Sequence, residues 1–239
     1  MITHKLFNAL NISKYPDGIK PVPHDRIEGT AFFPGGDGLY EHKIFPEEGI
    51  MILGQDFDNE ENFKVSKQSR SEITKPKGNP TWNNLIKILG DKIPIENYFF
   101  TNAIMGLREG SVKNTGRSKA FLKKNEQFLT ECRDFFIEQL KAQKPKLIIG
   151  LGAHIPRFLS GTTENLKHLS STTSLSKIEG GIDDNLFKDV VFKDIPDYKA
   201  KVIFITHPSL YYANVINRKK DDKEFEAKLI AKALENIPK

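Results

Sequence analysis

Four apolar runs in this chain break off into small polar clusters. Residues 49–53 run into Gly54-Gln55-Asp56, 98–100 into Thr101-Asn102, 147–151 into Gly152-Ala153-His154, and 202–205 into Thr206-His207-Pro208-Ser209. Short, unbroken apolar runs bounded by turn residues predict strands buried on both faces, the pattern of a parallel sheet. Between them, apolar positions recur at helical spacing. Trp82, Leu85, Ile86 and Leu89 mark a helix over 81–89, with Pro80 before it and Gly90 ending it. Phe121, Phe128, Leu129, Cys132, Phe135, Phe136, Gln139 and Leu140 mark a longer helix over 118–142, closed by Pro145. A short helix is expected over 154–159. A last one, capped by Asp221 or Asp222, buries Phe225, Leu229, Ala233 and Leu234. Strands separated by helices predict an α/β fold, a three-layer α/β/α sandwich around a central, mainly parallel four-stranded sheet.

Two stretches depart from this rhythm. Residues 1–48 are rich in proline and glycine turn signals, yet carry Phe32, Phe33, Tyr40 and Phe45. They are expected to form an irregular arm packed on a main domain over 49–239. Residues 160–199 read as an insertion in that domain, with a Ser/Thr-rich segment over 170–176, a Gly180-Gly181 turn and a short strand over 190–192.

Composition narrows the class. With 38% hydrophobic and 28% charged residues, the 239-residue chain has the make-up of a soluble globular domain. No stretch approaches the ~20 apolar residues that span a bilayer, and Met1-Ile2-Thr3-His4-Lys5 lacks the apolar core of a secretory signal. Cys132 is the single cysteine, so an internal disulfide and thiolate-rich zinc or iron–sulfur sites are excluded. An intracellular protein, in cytoplasm or nucleus, with no membrane partner is expected. The formal net charge of +5 permits attraction to a phosphate backbone.

The polar clusters carry the chemistry. In a parallel sheet the carboxyl ends of the strands share one edge, and ligands bind in the crevice outside it. Asp56 after Gly54 and Gln55 puts a carboxylate where it can orient a water, and Gly54 lets the backbone approach a ligand. The Asn102 amide offers a donor and an acceptor in one plane, which matches an imide edge such as that of uracil. His207, held extended by Pro208, can donate to an anion forming on a leaving group. Tyr211 and Tyr212 beside Arg218, Lys219 and Lys220 suit stacking and phosphate contact. Arg108, Lys113 and Arg117 make a flexible basic loop that can hold a phosphate of DNA or simply be solvated. The acidic run Asp56, Asp58, Glu60 and Glu61 raises a metal-dependent phosphoesterase as a lesser reading, weakened because no second acidic cluster ends another strand.

Gly54-Gln55-Asp56, Asn102, the 145–152 strand and His207-Pro208-Ser209, in that order and at strand ends, resemble the uracil-DNA glycosylase superfamily over residues 49–236. The resemblance implies a DNA glycosylase of base excision repair acting on DNA; no cofactor, no metal and a monomeric state are expected. It implies Asp56 as the water-activating carboxylate, Asn102 as the base-reading amide and His207 as the group that stabilises the departing base anion. Gln55, Phe57 and Ser209 line the same motifs, Phe63 is the candidate for stacking on the flipped base, and Leu210 or Tyr211 is the candidate wedge. Phe57 and Asp58 stand where the members closest to the Gly-Gln-Asp pattern carry proline and tyrosine. That departure motivates an alternative, the same fold used without catalysis to bind nucleic acid or protein.

Overall fold

In the computed structural model, which describes residues 6–23, 46–63, 80–89, 97–110, 125–210, 218–219, 222–235 and 237, each of the four apolar runs is a strand. They are β2 (Ile50–Gly54), β3 (Tyr98–Asn102), β5 (Leu147–Leu151) and β7 (Lys199–Ile205). The first three are buried along their whole length. A central sheet of five strands runs in the order β3-β2-β5-β7-β6, where β6 is Phe187–Val191. β3, β2, β5 and β7 pair in parallel, and β6 closes the edge antiparallel to β7.

That fifth strand corrects the expected count of four. It arises within the 160–199 segment and starts three residues before the strand anticipated at 190. A register shift lies between Phe187 and Val190, and Asp189 adopts a left-handed φ of 50°. The bulge puts Lys188 and Asp189 both in solvent, which breaks the period of two by which a strand is read.

Alternation across the parallel strands sorts the core into two layers. Met51, Leu53, Phe99, Ile148, Val202 and Phe204 face one side. There they meet α2 (Glu126–Gln143) through Phe128, Leu129, Cys132, Phe135 and Phe136, and α3 (Ile155–Ser160) through Phe158 and Leu159. Ile50, Ile52, Phe100, Ile149, Ile203 and Ile205 face the other, against α1 (Pro80–Leu89) and α5 (Phe225–Leu234). α4 (Ile182–Asn185) lies between α3 and β6 in the chain. Pro80 occupies the first turn of α1, where a missing N–H costs nothing. α2 ends on Lys144 in the left-handed region, whose N–H donates to Leu140 O at 2.8 Å. The entry to α5 also differs from expectation. Glu224 is its N-cap, and Asp222 acts one step earlier by accepting the Glu224 N–H at 3.1 Å.

The described part of the N-terminal arm packs on α2. Leu6 and Phe7 are buried, Phe7 meets Phe135 edge to face at 6.2 Å, and Tyr15 lies 5.6 Å from the Phe128 ring. Burial pushes the Tyr15 phenol up to about 12. Within the arm, β1 (Ile19–Lys20) pairs antiparallel with β4 (Leu107–Arg108) as a small second sheet. The arm's aromatics at 32, 33, 40 and 45 lie outside the described residues. No helix among the described residues is long and apolar enough to cross a membrane.

Candidate active site

The parallel pairing brings four strand ends to one edge. In spatial order they deliver Asn102 from β3, Gly54-Gln55-Asp56 from β2, Gly152 from β5 and Thr206-His207 from β7. The β2–β3 contact continues past the sheet: Ala103 N–H donates to Gly54 O and Ile104 N–H to Gln55 O, each at 2.9 Å. These bonds fix the backbone on which Asp56 and Asn102 sit, with Asn102 directly opposite Gly54.

Asn102 is 1% exposed, and among the described residues neither its Nδ2 nor its Oδ1 has a hydrogen-bond partner. A buried amide left unpaired costs on the order of 1–3 kcal/mol, so natural proteins seldom keep one without a use. Gln139 of α2 is likewise unpaired, but the next turn of that helix, at Gln143, bonds Pro46 O just ahead of the start of β2. Gln139 therefore belongs to the opposite edge of the sheet.

Asp56 is tightly engaged. Its Oδ1 accepts the Asp58 N–H at 2.9 Å and Arg108 Nη2 at 3.2 Å, and its Oδ2 lies 3.3 Å from Gln55 Nε2. Arg108 was expected on a flexible basic loop. It sits instead in β4, and the same Nη2 reaches Asp58 Oδ1 at 2.9 Å. The acidic run is thus divided between cations, since Glu60 pairs with Lys20 at 3.1 Å. Phe57 and Phe63 pack edge to face, ring centroids 6.3 Å apart, with 5% and 6% exposure. Phe63, the candidate for stacking on a base, is buried against Phe57.

His207 is oriented by its own turn. The Ser209 N–H donates to Nδ1 at 3.3 Å, and Ser209 Oγ lies 2.8 Å from the same atom. An amide can only donate, so Nδ1 is the acceptor and the neutral ring carries its proton on Nε2. Burial lowers the His207 pKa below its ordinary value; the charges of Asp56 and Asp58 oppose that shift, and nearby His154 adds to it. The ring lies against Gly152, whose φ is +88°; a Cβ there would stand 3.2 Å from His207 Cβ. Asn84 of α1 donates to Pro208 O at 2.7 Å and ties the turn down from the other layer.

Beneath His207 lies a buried ion pair that sequence reading missed. Arg218 Nη1 meets Glu226 Oε1 at 2.7 Å, with side-chain exposures of 2% and 1%. The same oxygen accepts the Thr206 N–H at 2.8 Å and Thr206 Oγ1 at 2.7 Å. Arg218 also donates to Asn185 Oδ1 and lies over the Phe225 ring. Arg218, expected as a phosphate contact, is thus held inside the fold by these partners. A cavity of about 240 Å³ opens beside His207, lined by Gly152 and Ala153, the 173–176 segment, Thr206 and Arg218. Asp56 and Asn102 do not line it. Lys113, Arg117, Tyr211 and Tyr212 lie outside the described residues. The backbone of Leu210 closes a 3-10 turn (Pro208–Leu210) after β7.

The parallel α/β sheet thus gathers an acid, a buried amide with no partner among the described residues and an imidazole along one edge. The family model of the uracil DNA glycosylase superfamily matches residues 42–233, and the chain belongs to that superfamily. The match leaves most of the N-terminal arm outside it. No curated protein matches the chain.

Proposed function

We propose that the protein is a DNA N-glycosylase that hydrolyses the bond joining deoxyribose to uracil or a related damaged base. The observation that carries this reading is the unpaired, buried amide of Asn102 on the strand next to Asp56. A base with adjacent carbonyl and N–H supplies the acceptor and donor that Asn102 lacks. The target must leave the stack or be single-stranded to reach it.

In the reaction the C1′–N bond breaks with its electron pair going to the base, and the sugar gains oxocarbenium character. Asp56 favours that cation and accepts a proton from the water whose oxygen bonds to C1′. His207, through Nε2–H, donates to the oxygen on which the base anion gathers charge. A positioned general base is worth about 10²–10⁴ in rate, and one oxyanion donor about 10²–10³. His207 suits the donor role because its pKa is lowered, which keeps the ring neutral with its proton on Nε2, opposite the nitrogen that Ser209 holds.

The test is a panel of oligonucleotides carrying uracil, hypoxanthine, xanthine or mismatched thymine, scored for alkali-labile sites. The unaltered protein releases at least one base; Asp56→Asn and His207→Ala release none while still binding DNA. Asn102→Ala loses base release yet melts no lower than about 1 kcal/mol below the parent, because no bond among the described residues is broken and the buried, unpaired amide is removed. Full activity in both Asp56→Asn and His207→Ala would refute the site. A second reading, DNA binding without catalysis, is favoured by the Arg108 ion pair that engages Asp56. It calls for affinity that falls steeply with salt and for no base release by the unaltered protein.

A further inference from the structure

A guanidinium 3.2 Å from Asp56 would, alone, oppose the positive charge that the glycosidic step develops on the sugar. Asp58 changes that balance. Arg108 Nη2 bridges Asp56 Oδ1 and Asp58 Oδ1, so two carboxylates surround one cation and the cluster keeps a net negative charge. We infer that Arg108 and Asp58 are positioning residues for Asp56: Arg108 clamps its carboxylate, and Asp58 anchors Arg108 while restoring the negative charge the reaction uses. The inference rests on the glycosylase reading of the site.

The local geometry is arranged around Asp58. Its backbone is left-handed, with φ of +67°, a conformation that aspartate tolerates better than most residues. Its carboxylate is fixed by three further contacts: Oδ1 accepts the Asn59 N–H at 2.9 Å and lies 3.4 Å from Asn59 Nδ2, and Oδ2 accepts Asn62 Nδ2 at 2.7 Å. The Asp58 N–H in turn donates to Asp56 Oδ1 at 2.9 Å. The two carboxylates and the turn therefore form one unit with a shared cation.

Arg108 is braced from its other side. Its N–H donates to Asp58 O at 3.0 Å, and β4 is held by β1, with Ile19 opposite Arg108 and the Glu109 N–H on Gly18 O at 2.8 Å. Lys20 then pairs with both Glu60 and Glu109, at 3.1 and 3.5 Å. Residues 18–20, which precede the family match, are thus the strut behind the clamp.

The experiment compares Arg108→Gln, Asp58→Asn and the double variant in the full chain. Base release is measured on whichever panel oligonucleotide the unaltered protein cleaves, beside oligonucleotide affinity and melting temperature. Asp58 is 44% exposed, so its charge is partly screened and its loss lowers kcat about tenfold, with KM changed less than about threefold. Arg108→Gln lowers kcat at least as far, and Arg108→Lys, which keeps the charge, recovers part of it. The double variant is no slower than the worse single variant, because both act through one unit. Single variants within about twofold of the parent, or losses that multiply as for independent sites, overturn the inference. So do kcat losses that only track the folded fraction. If the unaltered protein releases no base from any oligonucleotide, the glycosylase reading fails and takes this inference with it. If it cleaves and the variants are indifferent, the inference alone falls.

Discussion

Removing the charge of Glu226 tests whether the site stands on the ion pair beneath it. Glu226→Gln keeps size and shape, so its oxygen can still accept from Thr206, but Arg218 loses its counter-ion. At 2.7 Å the gross attraction is about 6 kcal/mol with an effective dielectric constant near 20. Side-chain exposures of 2% and 1% leave almost no water to screen the stranded guanidinium. Breaking such a pair from one side costs about 3–5 kcal/mol. In a domain of this size that lowers Tm by roughly 6–20 °C. Urea and thermal melts followed by circular dichroism read the effect directly. The double variant Arg218→Met/Glu226→Gln removes the stranded charge and returns most of the lost stability. A Glu226→Gln protein within about 1 kcal/mol of the parent would show that Arg218 is solvated or re-paired, and the reasoning would be wrong.

Two further outcomes follow from the turn at His207. Gly152→Ala forces a side chain into a φ of +88° and puts its Cβ 3.2 Å from His207 Cβ, so it lowers stability by about 1–2 kcal/mol and displaces the ring; chemical denaturation and base-release assays read the two effects, and unchanged values in both would contradict the packing. In an NMR titration His207 takes up its proton below pH 6.5, and Asp58→Asn moves that midpoint lower still, because the Asp58 charge raises it. Between the folded and unfolded midpoints the unfolded chain binds the extra proton, so the His207 contribution to stability falls as pH drops through that window. A midpoint at or above 6.5, or an upward move in Asp58→Asn, would contradict the placement of these charges.

The four parallel strands were legible because a strand buried on both faces must be apolar at every position, and the polar residue that ends it is conspicuous. The same logic located Asp56, Asn102 and His207, each the polar stop of such a run. β6 was obscured by its bulge. Arg108 was misread because a two-residue strand has no period; only its pairing with Ile19 and Asp58 gives it a place. Arg218, in a basic run, looks like a surface cation, and nothing local to it announces Glu226, eight residues on and already inside α5.

What the chain settles by itself is therefore what depends on near neighbours: the strands, the main helices and the candidates at their ends. Local periodicity and turn chemistry act over a few residues, and the sequence displays them directly. Tertiary structure decided which charges meet. That Arg108 is shared by Asp56 and Asp58 and that Thr206 rests on a buried ion pair depend on separations of about 20 to 50 positions closed to hydrogen-bond distance. An ion pair's worth is set by distance and burial, and neither is written in the order of the residues.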